Sequence, residues 1–341
     1  MSYAVEKTDP LAVLVYRGET VESRHAVSFA IADAAGKILD AGGEIDRPVF
    51  PRSAIKMLQA IPLVETGAAD RFGLSPEELA LACASHGGEP RHVEAVAAWL
   101  ERLGLSADDL ECGAHPPSHA PSARALAGSG RAPTGLHNNC SGKHAGMLTL
   151  ARHLGVATGG YIRPDHPVQQ VIDAALEALT GVSPWPAPAI DGCGVPTYAV
   201  PLGNLVAAMA RFASPGGLPP SRAAACRRLA KPMMQHPYMV AGDGRACTLI
   251  MQALPGVLVK TGAEGVYAAA LPERGLGLAL KVEDGASRAS SVALIALLDR
   301  LGALDDSARQ HLHPIARPLL KNHAGTTVGH IQAGAACTAD L

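Results

Sequence analysis

Aromatic residues make up only 4% of this chain, so its core has to be built from Ala, Val, Leu, Ile and Met. Lysine is also scarce, with 8 residues against 21 arginines. That matters chemically, because a lysine can give up its proton inside a protein and an arginine cannot. No stretch reaches the ~18 uninterrupted apolar residues of a membrane span. The first residues carry Glu6, Lys7 and Asp9 and no long apolar run, so no secretory signal is expected. A strong charge bias is missing too: the net charge is -2, which argues against a general role on nucleic acid or a membrane surface. The seven cysteines (Cys83, Cys112, Cys140, Cys193, Cys226, Cys247 and Cys337) form no Cys-x-x-Cys pair. Their odd number in a long chain predicts reduced thiols and a cytoplasmic setting.

What is present suffices for a large core: 341 residues, 48% of them hydrophobic, as one or two domains. Alternating apolar runs predict strands at 11–16 and 25–33, the second turning through 34–37 into Ile38-Leu39. A helix is expected from Ser53, interrupted near Pro62. Ser75-Pro76-Glu77-Glu78 reads as an N-cap, a first-turn proline and a capping-box glutamate. The helix it opens is expected to deliver Ser85 at its C-terminal end, with Gly87-Gly88 as the stop. Helical periodicity continues at 91–103, 142–154, 165–180 and 197–212, with Pro/Gly-rich connectors at 113–136 and 214–220. After 245 a short helix precedes three strands, Gly256–Gly262, Gly265–Leu271 and Leu276–Glu283, with a tight turn at Glu273-Arg274-Gly275. A helix at 286–302 and a last strand at 326–332 follow. The fold class this predicts is α+β: an antiparallel sheet built from both chain ends, with a helical part inserted. In boundaries, a sheet-containing lobe spans about 1–50 and 245–341 and a mainly helical lobe about 51–244, together one catalytic domain over 1–341.

Four polar runs stand out. Ser53-Ala54-Ile55-Lys56 sets a hydroxyl and an amine one helical turn apart on one face. A serine becomes a nucleophile when a neighbour takes its proton, and a desolvated lysine can do so. The bland alternative is a helix-capping serine and a solvated lysine. Lys260-Thr261-Gly262 follows an apolar strand, where it can be either a strand end before a turn or the wall of a site. The order Ser-x-x-Lys, second serine motif, Lys-Thr-Gly matches the penicillin-recognising serine hydrolases. There, Thr261 and Gly262 would line the substrate, and the Ala263 N–H would join that of Ser53 as an oxyanion hole.

The second serine motif, Ala84-Ser85-His86-Gly87-Gly88-Glu89, lacks the Ser-x-Asn or Tyr-x-Asn form of β-lactamases. Ser85 is a proton shuttle, a substrate ligand, the nucleophile, or simply a serine at a helix end; His86 beside it is a candidate substrate contact. The densest run is His137-Asn138-Asn139-Cys140-Ser141-Gly142-Lys143-His144. Cys140 and Lys143 lie three apart, and the Gly-rich turn at 191–194 can add Cys193. Two thiolates and a nitrogen suit zinc with water in the fourth position; the alternative is two inert buried cysteines. Asp191, Glu264 and Asp284 are candidate acceptors for a substrate ammonium.

Arg52-Ser53-Ala54-Ile55-Lys56, Ala84–Glu89, His137–Met147, Asp191–Leu202 and Lys260–Tyr267 together resemble the Rhizobium-type (class 3) L-asparaginases. The matching runs span about residues 50–285. The resemblance implies a serine β-lactamase/glutaminase-like fold and hydrolysis of L-asparagine to L-aspartate and ammonia. It implies two catalytic pairs, Ser53 with Lys56 and Ser85 with Lys260, and a zinc on Cys140, Lys143 and Cys193 that is accessory to catalysis. A homodimer is a family-level expectation. Arg52 or Lys143 would take the substrate carboxylate and Asp191 its ammonium. Two rivals stay open: a glutaminase or penicillin-recognising amidase of the same fold, and a non-catalytic zinc or small-ligand binding protein.

Overall fold

The computed structural model describes residues 10–183 and 185–334. Cys337 and the charged start at Glu6, Lys7 and Asp9 lie outside the described residues; the other six cysteines are buried thiols, none in a disulfide. The chain forms two compact units: Met1–Ala54 with Val200–Ser214 and Leu249–Leu341, and Ile55–Ala199 with Pro215–Thr248. Relative to the expected helical lobe of 51–244, the segment Val200–Ser214 lies with the sheet instead.

The strands are β1 (Leu11–Arg17), β2 (Thr20–Asp33), β3 (Ile38–Gly42), β4 (Pro48–Val49), β5 (Ala189–Ile190), β6 (Pro196–Thr197), β7 (Val200–Pro201), β8 (Leu258–Thr261), β9 (Val266–Leu271), β10 (Leu276–Val282), β11 (Leu319–Lys321) and β12 (Thr327–Ala333). One antiparallel sheet runs β11-β12-β1-β2-β10-β9-β8, with β3 also paired to β2. Both chain ends therefore meet in it, Val15 opposite Ile331 and Phe29 opposite Leu280. In β1, Leu11, Val13 and Val15 are buried in alternation, whereas β9 is buried throughout. Continuous burial means that both faces of the central strands are covered, and helices Leu202–Ala213 and Ser287–Arg300 pack on them. Gly277 explains why Leu202–Ala213 belongs here. A Cβ on it would stand 2.3 Å from Ala210 N and 2.5 Å from Val206 O, so helix backbone rests directly on strand backbone.

The second unit is helical around Ser141–Leu154, which is buried from Ser141 through Ala151. A helix buried on all sides is a core element, and the helices Ile61–Glu65, Pro76–Ala82, Pro90–Arg102 and Pro167–Thr180 pack against it. The expected capping box is present: Ser75 Oγ accepts from the Glu78 N–H at 3.2 Å, and Glu78 Oε2 from the Ser75 N–H at 2.9 Å. The chain from Arg52 to Glu65 breaks at Ala60, just before Pro62. Helix Pro76–Ala82 ends three residues short of Ser85. Helices Ala120–Gly128, Pro220–Gln235 and Asp306–Ala316 were not anticipated.

Asp173, on helix Pro167–Thr180, accepts from Tyr198 Oη at 2.6 Å, while its other oxygen is buried without a partner. Burial pushes this carboxyl up to about 6, against the opposing bond from Tyr198. A carboxyl whose folded pKa is raised holds a proton that the unfolded chain releases, so stability falls as pH rises from about 4 to about 6. Asp173→Asn should remove this slope and raise the melting temperature at neutral pH. After allowance for partial solvent exposure the gain is roughly 1–2 kcal/mol. Melting curves at acid and neutral pH check it; an unchanged slope would clear Asp173.

Candidate active site

In the helical unit, Lys56 opens the short helix Lys56–Gln59 and is fully buried. Its Nζ donates to Ser85 Oγ at 2.9 Å, to Cys140 Sγ at 3.1 Å, and to the Ala84 carbonyl. Those acceptors come from the end of helix Pro76–Ala82 and the start of helix Ser141–Leu154. Two of the four polar runs of the sequence thus converge on one lysine. Ser85 is fixed further by its own N–H, which donates to the Val240 carbonyl at 2.9 Å. Within the helical unit, Lys56 and Ser85 are thus hydrogen-bonded to each other.

The Gly-rich turn Asp191–Gly194 adds a second thiol to this cluster. Its Cys193 Sγ lies 3.1 Å from Lys143 Nζ. Asp191 accepts the Gly192 N–H at 2.7 Å and its carbonyl that of Gly194 at 2.8 Å, so it shapes the turn that presents Cys193. The Cys140 thiol is held well below its usual range, first by its hydrogen bond with Cys193 and then, against burial, by the charges of Lys56 and Lys143. Cys193 is pushed up by the same hydrogen bond and by burial, so the pair shares one proton. Burial pushes Lys143 down, but the two sulfurs and Asp191 outweigh it and the net direction is up.

This donor set fits a thiophilic ion. Two buried sulfurs and an amine lie together, and the lysine charges already favour thiolate on one of them. Among the described residues no group of three His, Cys, Asp or Glu is placed to hold a metal, so a third protein donor here would have to be the Lys143 amine, once it has lost its proton.

His86 is committed elsewhere. Its Nδ1 accepts from the Gly88 N–H at 3.1 Å, which leaves the proton on Nε2, 2.9 Å from Ser141 Oγ. With both nitrogens used and no exposure, it locks the Ser85 loop to the Cys140–Ser141 turn rather than offering an edge to a ligand. Its neighbour Glu89 had no role assigned from the sequence. Its carboxylate is buried and accepts from Tyr238 Oη at 2.9 Å and the Asp243 N–H at 3.0 Å. The signal that could have found it is an acid directly after Gly-Gly and ahead of the helix-opening Pro90.

In the sheet unit, β8 stands at the end of the strand order, so Lys260 and Thr261 lie on its last strand. Lys260 is buried, and its Nζ donates to the Thr261 carbonyl at 2.7 Å. Gly262 lets this edge reach the Ser53 segment: a Cβ there would stand 2.7 Å from the Pro51 carbonyl. Arg52 has φ 51°, left-handed for a non-glycine residue, and Ser53 follows it on the 3₁₀ turn Arg52–Ile55, partly exposed. Such strain costs about 1–3 kcal/mol and collects where a side chain must be held in place. Ala263 follows in the turn to β9, half-buried.

These features define a mixed helix-and-sheet protein that carries a buried lysine–serine hydrogen bond beside a dithiol. Comparison with protein-family models then places it: the chain belongs to the L-asparaginase II family, whose model matches residues 13–333. It is accordingly an amidohydrolase. No curated protein sequence matches significantly. Among solved structures it is similar to a β-lactamase from Mycobacterium bovis, at 14% identity and TM-score 0.43, over 82% of this chain and 95% of the other. It is also similar to simvastatin synthase from Aspergillus terreus, at 14% identity and TM-score 0.38, over 75% and 87%. A third is Mglu, at 16% identity and TM-score 0.39, over 81% and 67%. No helix among the described residues is long and apolar enough to cross a membrane.

Proposed function

We propose that the chain hydrolyses L-asparagine to L-aspartate and ammonia through a serine nucleophile served by Lys56. The observation that carries this is the Lys56–Ser85 hydrogen bond of 2.9 Å, one turn of chain from Ser53. Ser53 Oγ attacks the side-chain amide carbon and its proton passes to Lys56 Nζ, which must first have released to solvent one of the protons it donates in the resting structure. The N–H groups of Ser53 and Ala263 hold the oxyanion. Lys56 returns the proton through Ser85 to the departing nitrogen, the C–N bond breaks, and ammonia leaves. Water then splits the aspartyl ester, its proton returning to Ser53 by the same route. Lys260, Thr261 and Gly262 border the substrate, Arg52 takes its carboxylate, and Asp191, beside Lys143, is the candidate acid for its ammonium. In this reading Ser85 acts as the relay, and its pairing with Lys260 is not required for the first step.

Cys140, Lys143 and Cys193 would hold zinc, which would supply a fixed positive charge beside the bound substrate. Cys140→Ser should lower bound zinc and raise KM more than it lowers kcat, as metal analysis alongside steady-state kinetics would reveal. Full metal content in the variant would remove Cys140 from the ligand set. The substrate is tested by ammonia release from asparagine and glutamine and by ring opening of a β-lactam. Preference for glutamine or the lactam would replace the asparaginase reading, while the family assignment would stand. A homodimer belongs to the same reading and is checked by light scattering.

A further inference from the structure

A cleft of about 570 Å³ lies away from the Lys56 cluster, lined by helices Pro90–Arg102 and Ala120–Gly128 and by the chain at Gly88, Pro117, Arg131 and His137. That volume is ordinary for a small-molecule site. Helix Ala120–Gly128 buries none of its residues, so it stands over the cleft as a wall. Val93, Pro117, Pro121 and Leu126 make the lining largely apolar.

Ser122, Ser129, Glu94, Arg131 and His137 are the polar residues of the lining. His137 is 8% exposed, and its Nδ1 accepts the Thr134 N–H at 3.0 Å. The proton therefore sits on Nε2, which has no partner among the described residues. Burial first, and Arg131 among nearby cations, hold this imidazole below its usual range, so it is neutral. Arg131 is exposed and forms no ion pair among the described residues; the same holds for Glu94, the single acid in the lining. A neutral N–H at a buried position and an unpaired guanidinium make a recognition pair for a carboxylate.

We propose that this cleft is a second binding site, for a small monocarboxylate with an apolar body. The carboxylate meets Arg131 and the His137 N–H, and the body lies along Val93, Pro117, Pro121 and Leu126. Binding here would also touch the reaction centre's supports. His137 opens the run that leads to Cys140, and Gly88 is held by His86, the residue that locks the Ser85 loop. The inference does not depend on which amide the enzyme hydrolyses.

The probes are 3-phenylpropionate and its uncharged amide, titrated calorimetrically into the full-length protein. The acid should bind saturably and the amide roughly tenfold more weakly, the worth of one charge-assisted contact. Arg131→Ala should weaken the acid by a similar factor with the melting temperature and basal turnover unchanged. Glu94→Gln, which removes a repelling charge, should bind the acid at least as well as wild type. Leu126→Trp should obstruct the apolar part of the cleft and weaken binding at least tenfold. Equal binding of acid and amide, an Arg131→Ala variant with undiminished affinity, or no binding up to millimolar acid would overturn the proposal. So would dissociation of an oligomer by Leu126→Trp, which would assign the cleft to a contact between copies of the chain.

Discussion

Ser53→Ala should lower turnover by ~10⁴-fold or more while leaving the fold intact, because it removes the atom that forms the covalent bond. Ser53 is partly exposed, so the change should cost little stability, roughly 0.5 kcal/mol at most. Ser85→Ala is the informative partner. It deletes the hydroxyl that accepts from Lys56 at 2.9 Å and so interrupts the relay, for which the expected loss is about 10²–10⁴-fold. The two variants also differ in kind. With a slow ester substrate, whose leaving group needs little proton assistance, Ser85→Ala should still show a burst of covalent aspartyl-enzyme, and Ser53→Ala should show none. Mass spectrometry of quenched enzyme reads this directly. A covalent adduct on Ser85, or near-normal turnover by Ser53→Ala, would reverse the roles and make the pair seen in the structure, Lys56 with Ser85, the nucleophile and its base.

The reason this question survives the sequence is physical. Local signals fixed what depends on neighbours: the Ser75–Glu78 capping box, the break before Pro62, and the alternation of Leu11, Val13 and Val15. They failed where a distant contact decides. Helix Pro76–Ala82 stops without a glycine because the chain beyond it is claimed by tertiary bonds, Ala84 by Lys56 and Ser85 by Val240. Helix Ala120–Gly128 was hidden because a helix with no buried face has no apolar periodicity to read. In the same way, Ser-x-x-Lys spacing joins Ser53 to Lys56. Only the packing of helix Ser141–Leu154 brings Cys140, 84 positions away, to the same amine. The scarce lysines that the composition singles out, Lys56, Lys143 and Lys260, are all buried, which charged groups seldom are unless paired.

Gly142→Ala carries the largest expected structural effect, and its sign separates local preference from packing. Alanine inside a helix is favoured over glycine by about 1 kcal/mol, so propensity alone predicts stabilisation of helix Ser141–Leu154. The packing predicts the reverse. A Cβ on Gly142 would stand 2.3 Å from the Leu81 carbonyl oxygen and 2.6 Å from Leu81 Cγ, one of them backbone that cannot swing aside. That carbonyl accepts the Ala84 N–H at 3.0 Å, which starts the turn leading to Ser85. To admit a methyl the two helices must part, and with them the Ala84 carbonyl and Ser85 hydroxyl that hold Lys56. We expect a loss of about 3 kcal/mol from overpacking, a melting temperature lower by roughly 6–10 °C, and turnover reduced out of proportion to the fraction unfolded. Gly128→Ala is the control, since nothing lies within 4 Å of a Cβ there; it should leave both stability and rate near wild type. A Gly142→Ala enzyme that melts at or above the wild-type temperature would mean that helices Pro76–Ala82 and Ser141–Leu154 do not meet backbone to backbone. The convergence of Ser85 and Cys140 on Lys56 would then lose its structural cause.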